Sequence, residues 1–361
     1  MNLRTVLGVV GVIGGLVGPG YAKCPVGETT LLIVKAETGD LRVDTAGKEP
    51  SVDIQAEEAK LHESCGTKII EYSGAGARSW HIITPKHIDL DLTTVGGNIT
   101  VTDVDGNVTL HTSGGSVTTG SIRGNAMITT QGGAIRTGGI GGNATLRTPG
   151  TIEVAGDIGG NAELHTTSGR ITTGSIFGMR ADAEAGRTII INKAMELQAN
   201  TTNGDISVGE VAFITAKSGG GQITTRRSHG PVHAHTEEGD IRLDSAGSWV
   251  EASTGRGNIL VRLLPENIDS DLHMNLQAGN GDVTVYLPAR LRASLDLTVD
   301  NPSFQSPPIT SDIPLAPKRP PQSLIPENRY YAPTHSESLF NGGGNKIVLH
   351  TMKGKLTIRK N

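Results

Sequence analysis

The chain has 361 residues, with 49 glycines but only 4 Phe, 2 Trp and 5 Tyr, a balance that excludes a core built on aromatic side chains. No Gly-X-Y period runs through it, which excludes collagen. A net charge of −4, with 32 basic against 36 acidic side chains, argues against a nucleic-acid partner, because phosphate contacts call for a basic excess.

Residues 1–22 read as a secretory signal. Arg4 supplies the positive start, Val6 to Val17 an apolar stretch, and Pro19-Gly20 a break before small Ala22, the expected last residue before cleavage. Residues 5–22 fall short of a comfortable membrane span, so attachment to a membrane is expected only through an uncleaved signal. Lys23 stands before Cys24 where a lipoprotein signal needs a small residue. Two cysteines are too few for a disulfide scaffold and lack the spacing of a zinc site. In an oxidising compartment Cys24 and Cys65 are expected to pair, closing a loop worth roughly 4 kcal/mol of chain entropy.

Residues 23–87 contain fragments such as Thr38-Gly39-Asp40-Leu41-Arg42-Val43 without a strict phase, and read as an N-terminal cap with the first irregular coils. A repeat follows over 88–300. Gly106-Asn107, Gly124-Asn125, Gly142-Asn143 and Gly160-Asn161 recur every 18 residues, and the frame extends to twelve units, ten of them contiguous. Position 10 is glycine in ten of the twelve, which marks a backbone corner with positive φ or a close chain approach. Position 12 is aliphatic in eleven, as in Ile99, Val117, Ile135 and Ile171, and apolar positions 3 and 5 alternate with polar 4 and 6.

One such unit cannot bury its apolar face alone. Stacking the units as parallel coils ~4.8 Å apart solves this, and predicts an all-β, single-stranded parallel β-solenoid with ten contiguous coils forming a rod of roughly 50 Å. The volumes agree with the stacking. Ala126, Ala144 and Ala162 at position 3 accompany Ile128, Leu146 and Leu164 at position 5. From 195 onward the sizes exchange, with Leu197, Ile214, Val232 and Val250 beside Ala199, Ala216, Ala234 and Ala252. One large and one small inner residue per coil keeps the volume constant.

Position 7 is threonine at Thr94, Thr112, Thr130, Thr148, Thr166, Thr201, Thr236, Thr254 and Thr351. A flat threonine face of the ice-binding kind is one reading. Parity with positions 3 and 5 favours the other, an inner structural ladder whose hydroxyls satisfy one another and the turn backbone. The Asn107, Asn125, Asn143 and Asn161 column suits a turn, where asparagine tolerates left-handed φ and stacked amides bond.

No catalytic residue is assigned. Asp103 and Asp105, with His111 nearby in sequence, form the best acidic pair, but Thr119, Ser121 and Arg123 replace acids one coil on. Gly204-Asp205, Gly239-Asp240 and Gly281-Asp282 hint at a calcium spine, which Gln222 and Asn258 interrupt. His229, His233 and His235 form the densest histidine cluster, yet Thr215, Lys217, Glu251 and Ser253 flank the last two in neighbouring coils, so no metal and no cofactor are expected. GxxxxGK[ST], HExxH and GxSxG motifs are all missing.

Residues 301–340 form a Pro-rich insertion, with nine of the 17 prolines between 302 and 338. Proline cannot donate to a strand ladder, so the segment is expected to leave the rod as an extended loop that folds over its side or C-terminal end. Tyr330 and Tyr331, near Phe304 and Phe340, are its candidate partner-contact residues. Residues 341–361 restore the pattern as a final coil, with Ile347, Leu349, Thr351, Gly354 and Leu356.

Thr38 to Val43, Pro85 to Val101 and the Gly-Asn/Thr/Gly-Gly units resemble the bacterial putative-adhesin β-solenoid family. The resemblance covers most of the chain beyond the signal; the Pro-rich segment departs from it. It implies an exported domain of undefined activity, without a catalytic motif to transfer. The resulting expectation is a non-enzymatic, adhesin-like surface, secreted or held in the cell envelope of a bacterium, with a cell-surface or matrix polysaccharide or protein as partner. Scarce aromatics count against sugar stacking along the rod, and the alternative is a polysaccharide lyase or hydrolase on a parallel β-helix.

Overall fold

The computed structural model describes residues 20–27, 30–46, 49–56, 60–66, 68–76, 78–300, 308–318 and 334–361. The described residues form β-strands and no helix, wound as a parallel β-solenoid. Each regular coil has three sides. On the first face, Asp89–Thr94, Val108–Thr112, Ala126–Thr130, Ala144–Thr148 and Ala162–Thr166 pair in parallel, each residue opposite its equivalent in the next coil. On the second, Ile99–Val101, Val117–Thr119, Ile135–Thr137 and Ile152–Val154 do the same. The third is held by single bridges, Val104–Ile122–Ile140–Ile158–Ile176.

The sides of these early coils are separate short strands, whereas Ile189–Thr201 runs unbroken from the second face around the third into the first. Its neighbour Ile171–Ala185 follows the same path, with a register irregularity between Ile176 and Arg180.

Period-2 alternation places one set of side chains inside. Val117, Ile135 and Ile171 are fully buried, and both inner columns of the first face point to the core, including Val232 and Ala234. The exchange of large and small residues therefore takes place within one shared interior. Ala181, Ala183 and Ala185 depart from it, since one coil puts three small residues on the inner side of the first face.

Both ends depart from chain order. Leu31–Ala36 lies between Asp89–Thr94 and Ile69–Ala75, and Asp40–Asp44 lies between Ile99–Val101 and Ser79–Ile83. The 31–44 stretch is thus a regular coil, interposed between those of 69–83 and 88–101. Antiparallel strands close the stack beyond it: Ser51–Ala56 on Ser79–Ile83, Gly20–Pro25 on Ser51–Ala56, and Lys60–Cys65 on Ile69–Ala75. The expected Cys24–Cys65 disulfide is formed and ties two of these outer strands together. Ala22 is buried within Gly20–Pro25, opposite Ile54. Residues 1–19 of the expected signal lie outside the described residues.

The other end mirrors this arrangement. Asn345–Lys353 lies between Met274–Asn280 and Ala293–Val299, and Leu356–Lys360 lies between Val283–Leu287 and Ile309–Ser311. Thr334–Phe340 then runs antiparallel on Ala293–Val299, with Ala316–Lys318 antiparallel outside it. The Pro-rich segment therefore does not simply leave the rod. Its described parts supply end strands, because proline is tolerated at an edge where no ladder N–H is needed. Tyr330 and Tyr331 lie outside the described residues.

Candidate functional site

The threonine column faces the interior. Thr112 Oγ1 donates to Gly97 O at 2.8 Å and accepts the Gly115 amide at 3.2 Å, joining two corners. Equivalent bonds run from Thr94 to Gly39 (2.9 Å), Thr130 to Gly115 (2.6 Å), Thr236 to Gly221 (2.9 Å), Thr254 to Gly239 (2.9 Å) and Thr351 to Gly281 (2.8 Å). Thr148 and Thr166 bond Gly133 O and Gly150 O, and Thr201 bonds Gly204 O at 2.7 Å. The hydroxyls satisfy the turn backbone far more than one another. Among the described residues of this column, only Thr201 and Ser218 meet directly, at 3.0 Å.

The corners are glycine mainly because coils approach closely. A Cβ on Gly97 or Gly115 would lie 1.8 or 2.1 Å from the carbonyl oxygen of the neighbouring coil's corner. Positive φ applies at Gly239, Gly257 and Gly281. The asparagine column is not left-handed either, since Asn341 is the single non-glycine residue with positive φ among those described. Its amides cap the next coil instead. Asn107 Oδ1 accepts the Asn125 amide at 2.9 Å, Asn125 accepts that of Asn143 at 2.8 Å, and Asn143 that of Asn161 at 2.8 Å.

The acidic candidates do the same work. Asp205 accepts the Gln222 amide, Asp240 that of Asn258 and Asn258 that of Asp282, so the Gly-Asp positions form a corner ladder. Asp103 accepts the Ser121 amide at 2.8 Å, and Asp105 pairs with His87 at 3.1 Å and Arg123 at 3.4 Å. Both acids lie beside Val104 on the third face, whereas His111 points outward from the first. The structure does not bring this trio together.

A polar surface depression lies on the first face, where Ile206–Ser218, Val232–Glu238, Val250–Arg256 and Met274–Asn280 run side by side. Register sets Thr215, His233, Glu251 and Asn275 in one outward row and Lys217, His235, Ser253 and Gln277 in a second. His233 bonds Glu251 at 3.0 Å and meets the edge of Trp249, ring centres 4.8 Å apart. Trp249 stacks on His273 at 5.1 Å, and His273 bonds Asp271 at 2.7 Å, which holds that carboxyl below its usual range. His235 sits between Ser253 (2.7 Å) and Glu237 (3.3 Å). Lys217 has no carboxylate partner among the described residues.

His229 belongs elsewhere. It bridges Glu210 (2.7 Å) and Glu266 (3.1 Å), and the Glu210 bond raises its imidazole above the ordinary 6.5. The three histidines of the sequence cluster thus do not converge. Among the described residues, three possible metal-ligand atoms come together only at Cys24, Glu63 and Cys65, where the disulfide occupies both sulfurs. What the first-face depression offers is a lattice of donors and acceptors at single-coil intervals. Trp249 was missed by sequence reasoning, although aligning the unit that begins at 248 beneath its neighbours would have set it among the histidines.

No protein-family model matches the chain, and no curated protein matches it. Among solved structures it is similar to a "putative cell adhesion protein" from Clostridium sporogenes ATCC 15579, at 10% identity and a TM-score of 0.18, over 95% of this chain and 100% of that one.

Proposed function

We propose that this protein is an exported, non-catalytic binding scaffold of adhesin-like character, acting at or outside the cell envelope. The observation that carries this reading is the pair of outward rows Thr215–Asn275 and Lys217–Gln277, which repeat polar contacts at the coil spacing. Many weak contacts on such a lattice add up when the partner is itself a repeating polymer or a surface. The acids and histidines here bond one another or cap backbone amides, an arrangement suited to holding a surface in shape rather than to proton transfer. A disulfide between outer strands suits an oxidising compartment.

The test is to pass the protein over immobilised polysaccharides and matrix proteins and to analyse both the retained protein and the eluate. Retention without new reducing or unsaturated sugar ends is expected, weakened in the Lys217→Ala/His233→Ala double variant. Release of such ends would establish a lyase or hydrolase instead. Retention unchanged in the double variant would remove the first face from the account.

A further inference from the structure

Two of the chain's 4 phenylalanines stand where that residue seldom does. Phe177 and Phe213 are exposed at 59% and 52%, with Met195 at 44% between them. Register aligns Ile176 with Ala194, so Phe177 and Met195 each follow an aligned pair on successive coils, whereas Phe213 lies opposite Glu196. An exposed apolar row of this kind marks a contact surface. Phe177 also heads a groove that runs along the third face, with Asp103, Arg123 and Asp157 in its walls and the backbone of Gly139, Gly141 and Gly159 as its floor.

The floor is barer than the fold requires. Gly141 and Gly159 are obligatory, because a Cβ on either would lie 2.2 Å from a carbonyl oxygen of the adjacent coil. Gly139 is not. Its φ is ordinary, and a Cβ there would meet nothing nearer than 3.4 Å. In the same column Asp103 Oδ1 caps the Ser121 amide at 2.8 Å and Asp157 Oδ1 caps the Ser175 amide at 2.6 Å. An asparagine at 139 would fit and could cap Asp157 in the same way. The stack thus favours a side chain at a position that has none, as is expected where a ligand comes close to the backbone.

We infer that this groove and the adjoining Phe177–Met195 edge form one binding site for a neutral polysaccharide chain lying along the rod axis. Coils advance by ~4.8 Å, close to the advance of one pyranose in an extended glycan, so successive rings meet equivalent positions. The Phe177 ring suits the C–H face of a sugar, and the Asp157 carboxylate and Ser121 hydroxyl offer partners for ring hydroxyls. Lys86 lies 4.0 Å from Asp103 and Arg123 3.4 Å from Asp105, which leaves the Asp157 carboxylate in excess, so no field selects an anionic polymer. Aromatics are scarce along the rod as a whole; here the placement of one, Phe177 at the head of the groove, supplies the stacking face. The site lies on a different face from the polar rows and goes beyond the scaffold role proposed for them.

Isothermal titration of the full chain with cellohexaose, xylohexaose and maltohexaose, with polygalacturonate as the acidic counterpart, tests the inference. At least one neutral oligosaccharide is expected to bind. Phe177→Ala and Gly139→Asn should each weaken that binding about tenfold, roughly 1.4 kcal/mol, and Gly139→Asn should melt no lower than wild type. The inference is overturned if no neutral oligosaccharide binds, if polygalacturonate or a protein competes equally for the Phe177 edge, or if neither variant changes affinity. It is overturned too if Gly139→Asn melts lower, since the glycine would then be structural. Neutral-glycan binding that survives both variants but fails in Lys217→Ala/His233→Ala would end this inference and leave the first-face scaffold standing.

Discussion

Thr112 is polar and fully buried, and its hydroxyl is committed on both sides, donating to one corner and accepting from the next. Replacement by isosteric valine keeps the packing and leaves the Gly97 carbonyl without its partner, so Thr112→Val is expected to cost about 1–2 kcal/mol. Thr100 is exposed on the outer side of the second face, and Thr100→Val should change stability by less than about 0.5 kcal/mol. Urea denaturation of the two variants checks this, and equal losses would contradict it. Position 7 was legible in the sequence because parity with apolar neighbours already assigns a side chain to the inside. The backbone state of Asn107 and Asn125 was not, because asparagine in a turn suits left-handed φ and amide capping equally well, and only the placement of the next coil separates them.

A coil is stable as a whole when its interior volume is conserved. Ala234 and Val232 are both buried and point into the same interior, each between equivalents one coil away. Ala234→Leu is therefore expected to overpack that coil by about 1–3 kcal/mol, and adding Val232→Ala should restore most of the loss. Equal melting temperatures for the single and double variants would contradict the shared interior. Ion pairs between coils act on a different axis, pH. His229, raised above 6.5 chiefly by Glu210, contributes stability while protonated and loses it as pH rises through its folded value. Glu210, lowered below 4.5 by His229 and Lys193, contributes while ionised and loses it as pH falls. The melting-temperature difference between wild type and His229→Gln should thus be widest between about pH 5 and pH 6.5 and shrink toward about pH 8. A difference that grows with pH would overturn that assignment.

At the scale of the molecule, both ends use one device. The chain passes over a position in the stack and later, or earlier, fills it, so that 31–44 and 345–360 sit between coils distant in sequence. Antiparallel strands beyond them cover the parallel edge that an open coil would present to another molecule. The regular coils from 88 onward were legible because each residue pairs with its equivalent a fixed distance along the chain. The 31–44 and 69–83 coils were not, since their partners are set by tertiary placement and no period connects them. The third inner column, Val104 to Ile176, lay in plain view at the same 18-residue spacing, but one bridging residue per coil carries no strand alternation to announce it. The glycine-floored groove was hidden for a related reason. In sequence Gly139 looks like every other glycine of the repeat, and only coordinates show that it alone on that floor has room for a side chain.

Parallel stacking in register is the claim beneath all of these, and distances between spin labels on the disulfide-bonded chain test it most directly. The outward row of the second face carries Thr118, Thr224 and Thr284, separated in register by six coils and then three more. Labels at Thr118 and Thr224 should lie about 29 Å apart, and labels at Thr118 and Thr284 about 43 Å, the increase following the number of coils. Distances that fail to grow with coil number, as two packed antiparallel sheets would give, would contradict the solenoid.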